Sequence, residues 1–145
     1  HANSAAASVS RLLDMGVEDY LLAPTLRAVA AQRLVRKLCH NCRRPKADTP
    51  SLPAKLELSE PSCRLYEAVG CQTCGGTGFR GRTVIHEIMR VSSKLRDLLL
   101  QNPSSNIIEQ AAREEGMRSL LETGLAKAAR GETSVEEVLR VVSVE

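Results

Sequence analysis

The sequence predicts a small α/β chain: a helical and extended opening, an irregular metal-binding middle, and a mostly helical end. Three observations carry that expectation. Two Cys-x-x-Cys pairs, Cys39–Cys42 and Cys71–Cys74, flank a proline-rich stretch. Ahead of them, apolar residues at helical spacing give way to a run that alternates in polarity. Behind them, a β-rich heptamer leads into four short amphipathic patterns with marked ends.

Residues 1–38 form the first segment. Ser4 is placed to cap a helix whose apolar positions Val9, Leu12 and Leu13 fall at i, i+3 and i+4, and Gly16 supplies its left-handed stop. A second helical stretch is expected from Leu21 to Ala31, begun around Pro24. Gln32 to Leu38 alternates in polarity and predicts a strand that delivers Cys39 at its end. Residues 39–82 form the metal segment. Pro45, Pro50, Pro53 and Pro61 fix φ and remove backbone donors, which forbids long regular elements there.

Residues 83–145 form the third segment. Thr83–Met89 reads as a strand. Asn106 with Glu109, Ser119 with Glu122 and Ser134 with Glu137 have capping-box spacing, and Gly116 and Gly131 stop the second and third helices. The apolar faces are Leu95, Leu98 and Leu99; Ile107, Ile108 and Ala111; Leu121, Leu125 and Ala128; and Val135, Val138, Leu139 and Val142. They predict a small helical bundle with Leu121 and Leu139 in its core.

Each Cys-x-x-Cys puts two sulfurs on one tight turn. Two such turns face to face close a Cys₄ shell of the kind a tetrahedral Zn²⁺ prefers, with Zn–S distances of roughly 2.3 Å and no open position for water. A closed shell shapes the chain and does no hydrolysis. The expected ligands are Cys39, Cys42, Cys71 and Cys74; a reduced dithiol pair or disulfides are the alternatives. The odd fifth thiol, Cys63, fits poorly with a fully paired secreted framework, and no charged-then-apolar leader opens the sequence, so a reducing cytoplasm is expected. Cys63 reads as an unligated loop thiol. His40 reads as a neighbour of the metal or a solvent-exposed side chain.

The 43% apolar content is globular, and no run approaches the ~20 apolar residues of a membrane span. A chain of 145 residues is long enough for one modest core and a satellite. It opens on His1 and runs straight into a helix-like stretch, which reads as a piece of something larger. The net charge of +3 and the basic residues Arg33, Arg36, Lys37, Arg43, Arg44, Lys46, Arg80 and Arg82 invite a nucleic-acid reading. Tyr20, Tyr66 and Phe79 are the only aromatic residues, too few to interleave stacking platforms with a basic groove.

Several motifs fail on context. Gly76–Gly81 fits G-x-G-x-x-G but follows a cysteine turn and leads into β-like sequence, so it is no dinucleotide loop. Cys71–Gly78 resembles a single repeat of the cysteine-rich region of J-domain chaperones, and the first pair lacks the glycines. His86-Glu87 begins like a zinc-protease helix, but Arg90 stands where the second ligand must be. No G-x-x-x-x-G-K-[ST] is present.

His1-Ala2-Asn3-Ser4-Ala5, Arg11–Val17, Ala31–Arg36, the two cysteine pairs and Gly78–Thr83 together resemble the C-terminal third of the bacterial type II secretion traffic ATPases. Type IV pilus assembly ATPases look similar through the same stretches, and Gly81–Glu87 leans towards the secretion branch. The resemblance implies that 1–38 end a RecA-like motor domain, that 39–82 are its tetracysteine zinc subdomain, and that 83–145 are a strand and helical subdomain. It implies a homo-hexameric ring on the cytoplasmic face of the inner membrane, working with membrane platform proteins, with ATP and Mg²⁺ as cofactors of the whole protein.

Carried over, the family's His box falls on His1, near the γ-phosphate, with Ala2 and Ser4 where the family often has Thr and Asp. A phosphate-approaching arginine falls on Arg82; its plain reading is a solvated turn residue, and that of His1 a non-native end residue. The Walker A loop, acidic box and Walker B strand precede the His box in the family and are missing here, so residues 1–145 alone are expected to be inactive. A stand-alone zinc-ribbon nucleic-acid binder and a redox dithiol protein are the rival classes.

Overall fold

The computed structural model describes residues 4–46 and 64–142. Helix α1 spans Ala5–Asp14. The Ser4 hydroxyl accepts from the Ala7 amide at 3.1 Å and closes its first turn, and Gly16 ends it at φ 90° with its amide on the Leu13 carbonyl at 2.9 Å. The sequence locates both ends of this helix. Its buried face is Ala5, Ala6 and Val9, whereas Leu12 is exposed.

Helix α2 (Asp19–Thr25) is shorter than the stretch expected from Leu21 to Ala31. The chain turns extended at Leu26, and strand β1 runs from Ala28 to Leu38, four residues ahead of the predicted Gln32 start. Ala28–Ala31 favour helix by propensity, but pairing with strand β4 (Phe79–Arg90) overrides it. The Val91 amide on the Arg27 carbonyl, at 2.9 Å, extends that tie. Between the long strands lie the two-residue strands β2 (Arg44–Pro45) and β3 (Tyr66–Glu67). They pair antiparallel, with Arg44 opposite Glu67 and Pro45 opposite Tyr66.

Four helices follow: α3 (Ser93–Leu99), α4 (Ser105–Glu114), α5 (Leu120–Ala129) and α6 (Val135–Val142). Helix α4 starts earlier than the Asn106 cap requires. The chain leaves α3 through Asn102, at φ 48°, and Pro103; Ser104 is then the N-cap, whose carbonyl takes the Ile107 and Ile108 amides. Asn106 is therefore inside the helix. Ser134 does cap α6, accepting from the Glu137 amide at 3.2 Å. The Glu137 carboxylate does not reach back. It is drawn instead to Arg36 and Arg140, because two guanidiniums outcompete a neutral amide. Gly116 and Gly131 follow α4 and α5 at φ 93° and 70°, the left-handed stops that the sequence indicates.

The chain forms two compact units that interleave along the sequence: 1–32 with 86–120, and 33–85 with 121–145. The four C-terminal helices divide between them, α3 and α4 in the first and nearly all of α5 with α6 in the second. In the first unit, α1 packs on α4, α4 on α3 and α3 on α2. Ala5, Ala6 and Val9 meet Ile108, Ala111 and Ala112, small side chains that allow a close approach, while Met89, Leu95 and Leu99 fill the centre. Glu87, 3% exposed, accepts from the Ala5 amide at 2.8 Å, a carboxylate set against the start of α1.

The second unit is built around Val35, Leu38, Leu65, Ile85, Leu125, Ala128 and Val138. Leu139, expected in a core, is 45% exposed, and Leu121 is half-buried. Val138 takes the inward position of α6, and its neighbour one residue on is turned about 100° away. Residues 132–137 follow the free edge of β1. The Glu132 carbonyl accepts from the Leu38 amide at 2.9 Å, the Thr133 hydroxyl donates to the Arg36 carbonyl at 2.8 Å, and Glu137 accepts from the Arg36 amide at 3.1 Å. Among the described residues no helix is long and apolar enough to cross a membrane.

Candidate metal centre

Strand β1 ends on the buried Leu38 and hands the chain to Cys39, 2% exposed. The Cys39 amide donates to the Gly78 carbonyl at 2.9 Å, and its own carbonyl accepts from Cys42 and Arg43 at 3.3 and 3.0 Å. That turn brings the first two sulfurs to one side. The second pair sits on a single 3₁₀ turn, Gln72–Cys74. There the Cys71 amide donates to the Cys74 sulfur at 3.2 Å, and the Cys74 amide donates back to the Cys71 sulfur. Two glycines make the fit possible. A Cβ on Gly70 would stand 2.5 Å from the Gly76 carbonyl oxygen, and one on Gly78 would stand 2.7 Å from Ala68 Cβ.

The two turns face each other. Sγ–Sγ distances are 3.9 Å for Cys39–Cys71, 3.8 Å for Cys42–Cys74 and 3.7 Å for Cys71–Cys74, and all four sulfurs lie within 4.8 Å of one another. A tetrahedron with metal–sulfur bonds of roughly 2.3 Å has edges of about 3.8 Å. A disulfide needs about 2.05 Å, and the four thiols are free. Both sequence pairs thus close on one point with a spacing that suits a metal ion and excludes S–S bonds. The Asn41 amide donates to the Thr73 hydroxyl at 3.2 Å across the two turns.

The backbone also prepares the charge. Burial disfavours the charged form of Cys74, but the N–H groups of Cys71 and Gly78 outweigh it and pull the thiol down to about 6. Cys71 is lowered by the Cys74 N–H. Cys42 is pushed up to about 11, chiefly by burial, although the Gly70 amide at 3.3 Å favours its thiolate. Four thiols with N–H donors aimed at three of them form a soft, anionic donor set, the type that holds zinc and other thiophilic ions. His40 is exposed and stands outside the four-sulfur cluster.

Side chains that the sequence did not bring together brace this centre. The Arg43 guanidinium lies 4.7 Å from the Tyr66 ring centroid and donates to the Gly131 carbonyl, and Lys46 pairs with Glu136. Arg36 lies 4.2 Å from the Phe79 centroid while holding Glu137. Much of the basic cluster therefore has partners inside its own unit. No local signal announces these contacts, because their partners lie far along the chain.

Arg82 is exposed on β4, with Gly81 beside it at φ 76° and the neighbouring Thr83 hydroxyl accepting from Lys127 Nζ at 2.9 Å. His86 is exposed on the same strand, while Glu87 points inward, so the pair does not form a metal site. His1 and Cys63 lie outside the described residues.

Known proteins show the same pattern over almost the whole chain. The type IV pilus assembly ATPase PilB of Thermus thermophilus is 42% identical over 96% of this chain and 16% of its own length. The type II secretion system protein E of Aeromonas hydrophila is 41% identical over 97% of this chain and 28% of its own, and the type II secretion system protein HxcR of Pseudomonas aeruginosa 42% over 97% and 27%. The chain thus spans between about a sixth and a little over a quarter of the curated relatives it matches. Residues 1–140, cysteine pairs included, match the family described as type II/IV secretion system protein, and the chain belongs to that family.

Proposed function

We propose that this chain is the C-terminal part of a cytoplasmic ATPase that powers type II protein secretion, in which ATP hydrolysis drives pseudopilus assembly and export. The family match over residues 1–140, joined to a four-cysteine cage of tetrahedral size, is the observation that carries this reading. In it, residues 1–38 complete a RecA-like motor domain. Cys39, Cys42, Cys71 and Cys74 hold a structural Zn²⁺, which supplies a cross-link and no reaction step. The whole protein works as a hexamer at the inner membrane, docked on the secretion platform.

Arg82 suits a nucleotide role. It is exposed, and its guanidinium makes no hydrogen bond or ion pair among the described residues. It is free to bind a phosphoryl group bidentately and to stabilise charge during transfer. His1 would stand near the γ-phosphate. The sequence 1–145 contains no Walker A loop, so the phosphate grip and the Mg²⁺ ligands must come from other residues, and this stretch alone should not turn over ATP. Relatives from both secretion and pilus branches match at similar identity, which keeps a type IV pilus assembly ATPase as the second reading.

Two measurements test the proposal. Reduced, freshly purified chain should carry one zinc, and its absence refutes the structural ion. In the full-length assembled ring, Arg82→Ala should lower ATP turnover by on the order of 10³-fold, the scale of a lost phosphate arginine. Unchanged turnover in an intact ring would return Arg82 to an ordinary surface role.

A further inference from the structure

The unit formed by 1–32 and 86–120 contains a cleft of about 810 Å³ that draws on neither Arg82 nor the cysteines. Three arginines line it. Arg27 precedes β1, Arg90 ends β4, and Arg96 lies on α3. Among the described residues, none of their guanidiniums has an ion-pair or hydrogen-bond partner, and the Nε of Arg96 is buried without one. Three guanidiniums that line one cleft without acceptors favour a bound oxyanion there, which would supply the missing hydrogen bonds. Glu115 also lines the cleft, but one of its oxygens is engaged by the Ser92 hydroxyl at 2.8 Å, and it answers only one of the three positive charges.

We infer that this cleft is a binding site for a phosphoryl group carried by a small phosphate ester or a lipid headgroup. The arithmetic of charge selects that class. Three guanidiniums and one carboxylate leave a charge of about two positive, which a phosphoryl group of −1.5 to −2 neutralises and a single carboxylate does not. The guanidinium fork matches phosphate oxygens bidentately. Ile88 and Met117 line the same cleft and offer an apolar surface for whatever bears the phosphate.

The test uses the metal-loaded 145-residue chain at constant ionic strength. Inorganic phosphate is titrated calorimetrically, and vesicles of phosphatidic acid are compared with vesicles of phosphatidylcholine. Saturable phosphate binding identifies a soluble ester as the source; saturable binding to phosphatidic acid alone identifies a lipid headgroup. In either case Arg96→Gln and Arg90→Gln, made separately, should each weaken binding by about tenfold or more with the circular dichroism spectrum retained. Arg90 is exposed at a strand end, so its variant keeps the test decisive if Arg96→Gln fails to fold. Arg44→Gln, an equal loss of charge in the other unit, should change nothing. The proposal falls if neither phosphate source saturates, if Arg44→Gln weakens binding as much as the cleft variants, or if an acidic peptide alone binds in an Arg96-dependent way.

Discussion

Glu137 is almost wholly buried, yet it keeps its charge because two arginines hold it. Burial alone would raise its pKa, but the guanidiniums of Arg140 and Arg36 and the Arg36 amide bring the carboxyl down to about 2, from an ordinary value near 4.5. A carboxyl whose pKa is depressed by folding adds stability above its unfolded pKa. That stability is lost as the pH falls from about 4.5 towards about 2. The side chain of Arg36 is 45% exposed, so solvent screens part of the attraction, and about 2 kcal/mol at neutral pH is a reasonable scale. Glu137→Gln should lower urea stability at pH 7 by about that amount and should flatten the loss between pH 4.5 and pH 2. An equally steep acid limb in the variant would assign the acid sensitivity to another group. Here the sequence was half legible: the Ser134–Glu137 spacing marks a cap, but nothing local reveals that Arg36 arrives from β1 to claim the carboxylate.

At the scale of elements, ends were easier to read than faces. Ser4, Gly16, Gly116 and Gly131 act through their own backbone and nearest turn, so local chemistry locates them. Ala28–Ala31 and Leu139 depend on what lies across from them, and there periodicity misleads. Leu125→Ala, at a site 3% exposed, should cost about 2–4 kcal/mol, whereas Leu139→Ala should cost about 1 kcal/mol because nearly half of that residue's surface already faces water. Denaturant unfolding of the pair checks it; equal losses would mean that Leu139 is covered. Gly124, inside α5, carries a signal that propensity hides. A Cβ there would stand 2.5 Å from Val138 Cγ1, and Val138 is fully buried and cannot give way. Gly124→Ala should therefore destabilise by about 1–2 kcal/mol even though Ala is the better helix former by about 1 kcal/mol. A gain in stability would show that α5 and α6 can move apart.

For the whole molecule, the clustering of the four cysteines was the most legible part. A Cys-x-x-Cys turn fixes two ligands by itself, and the chemistry of thiols makes two such turns readable as one cage. The division into interleaved units was not legible, because it falls part-way along both long strands, after Gln32 and after Ile85, where no turn or breaker residue marks it. Chelation at pH 7 should raise hydrogen exchange at the amides of Cys39, Cys71, Cys74 and Gly78, which hold the two turns, and leave the α1–α4 packing protected. Equal deprotection of Val9 and Ile108 would mean that the ion supports both units. One further consequence concerns solubility. Residues 132–137 occupy the hydrogen-bonding groups that β1 would otherwise present along its open side, at Arg36 and Leu38. They act as a guard rail against strand-to-strand recruitment between copies of the chain. A chain shortened to end at Gly131 would lose the edge cover of 132–134 as well as α6. It would expose a sticky ribbon containing Val35, and concentration-dependent light scattering, rather than simple loss of helicity, would be its mark.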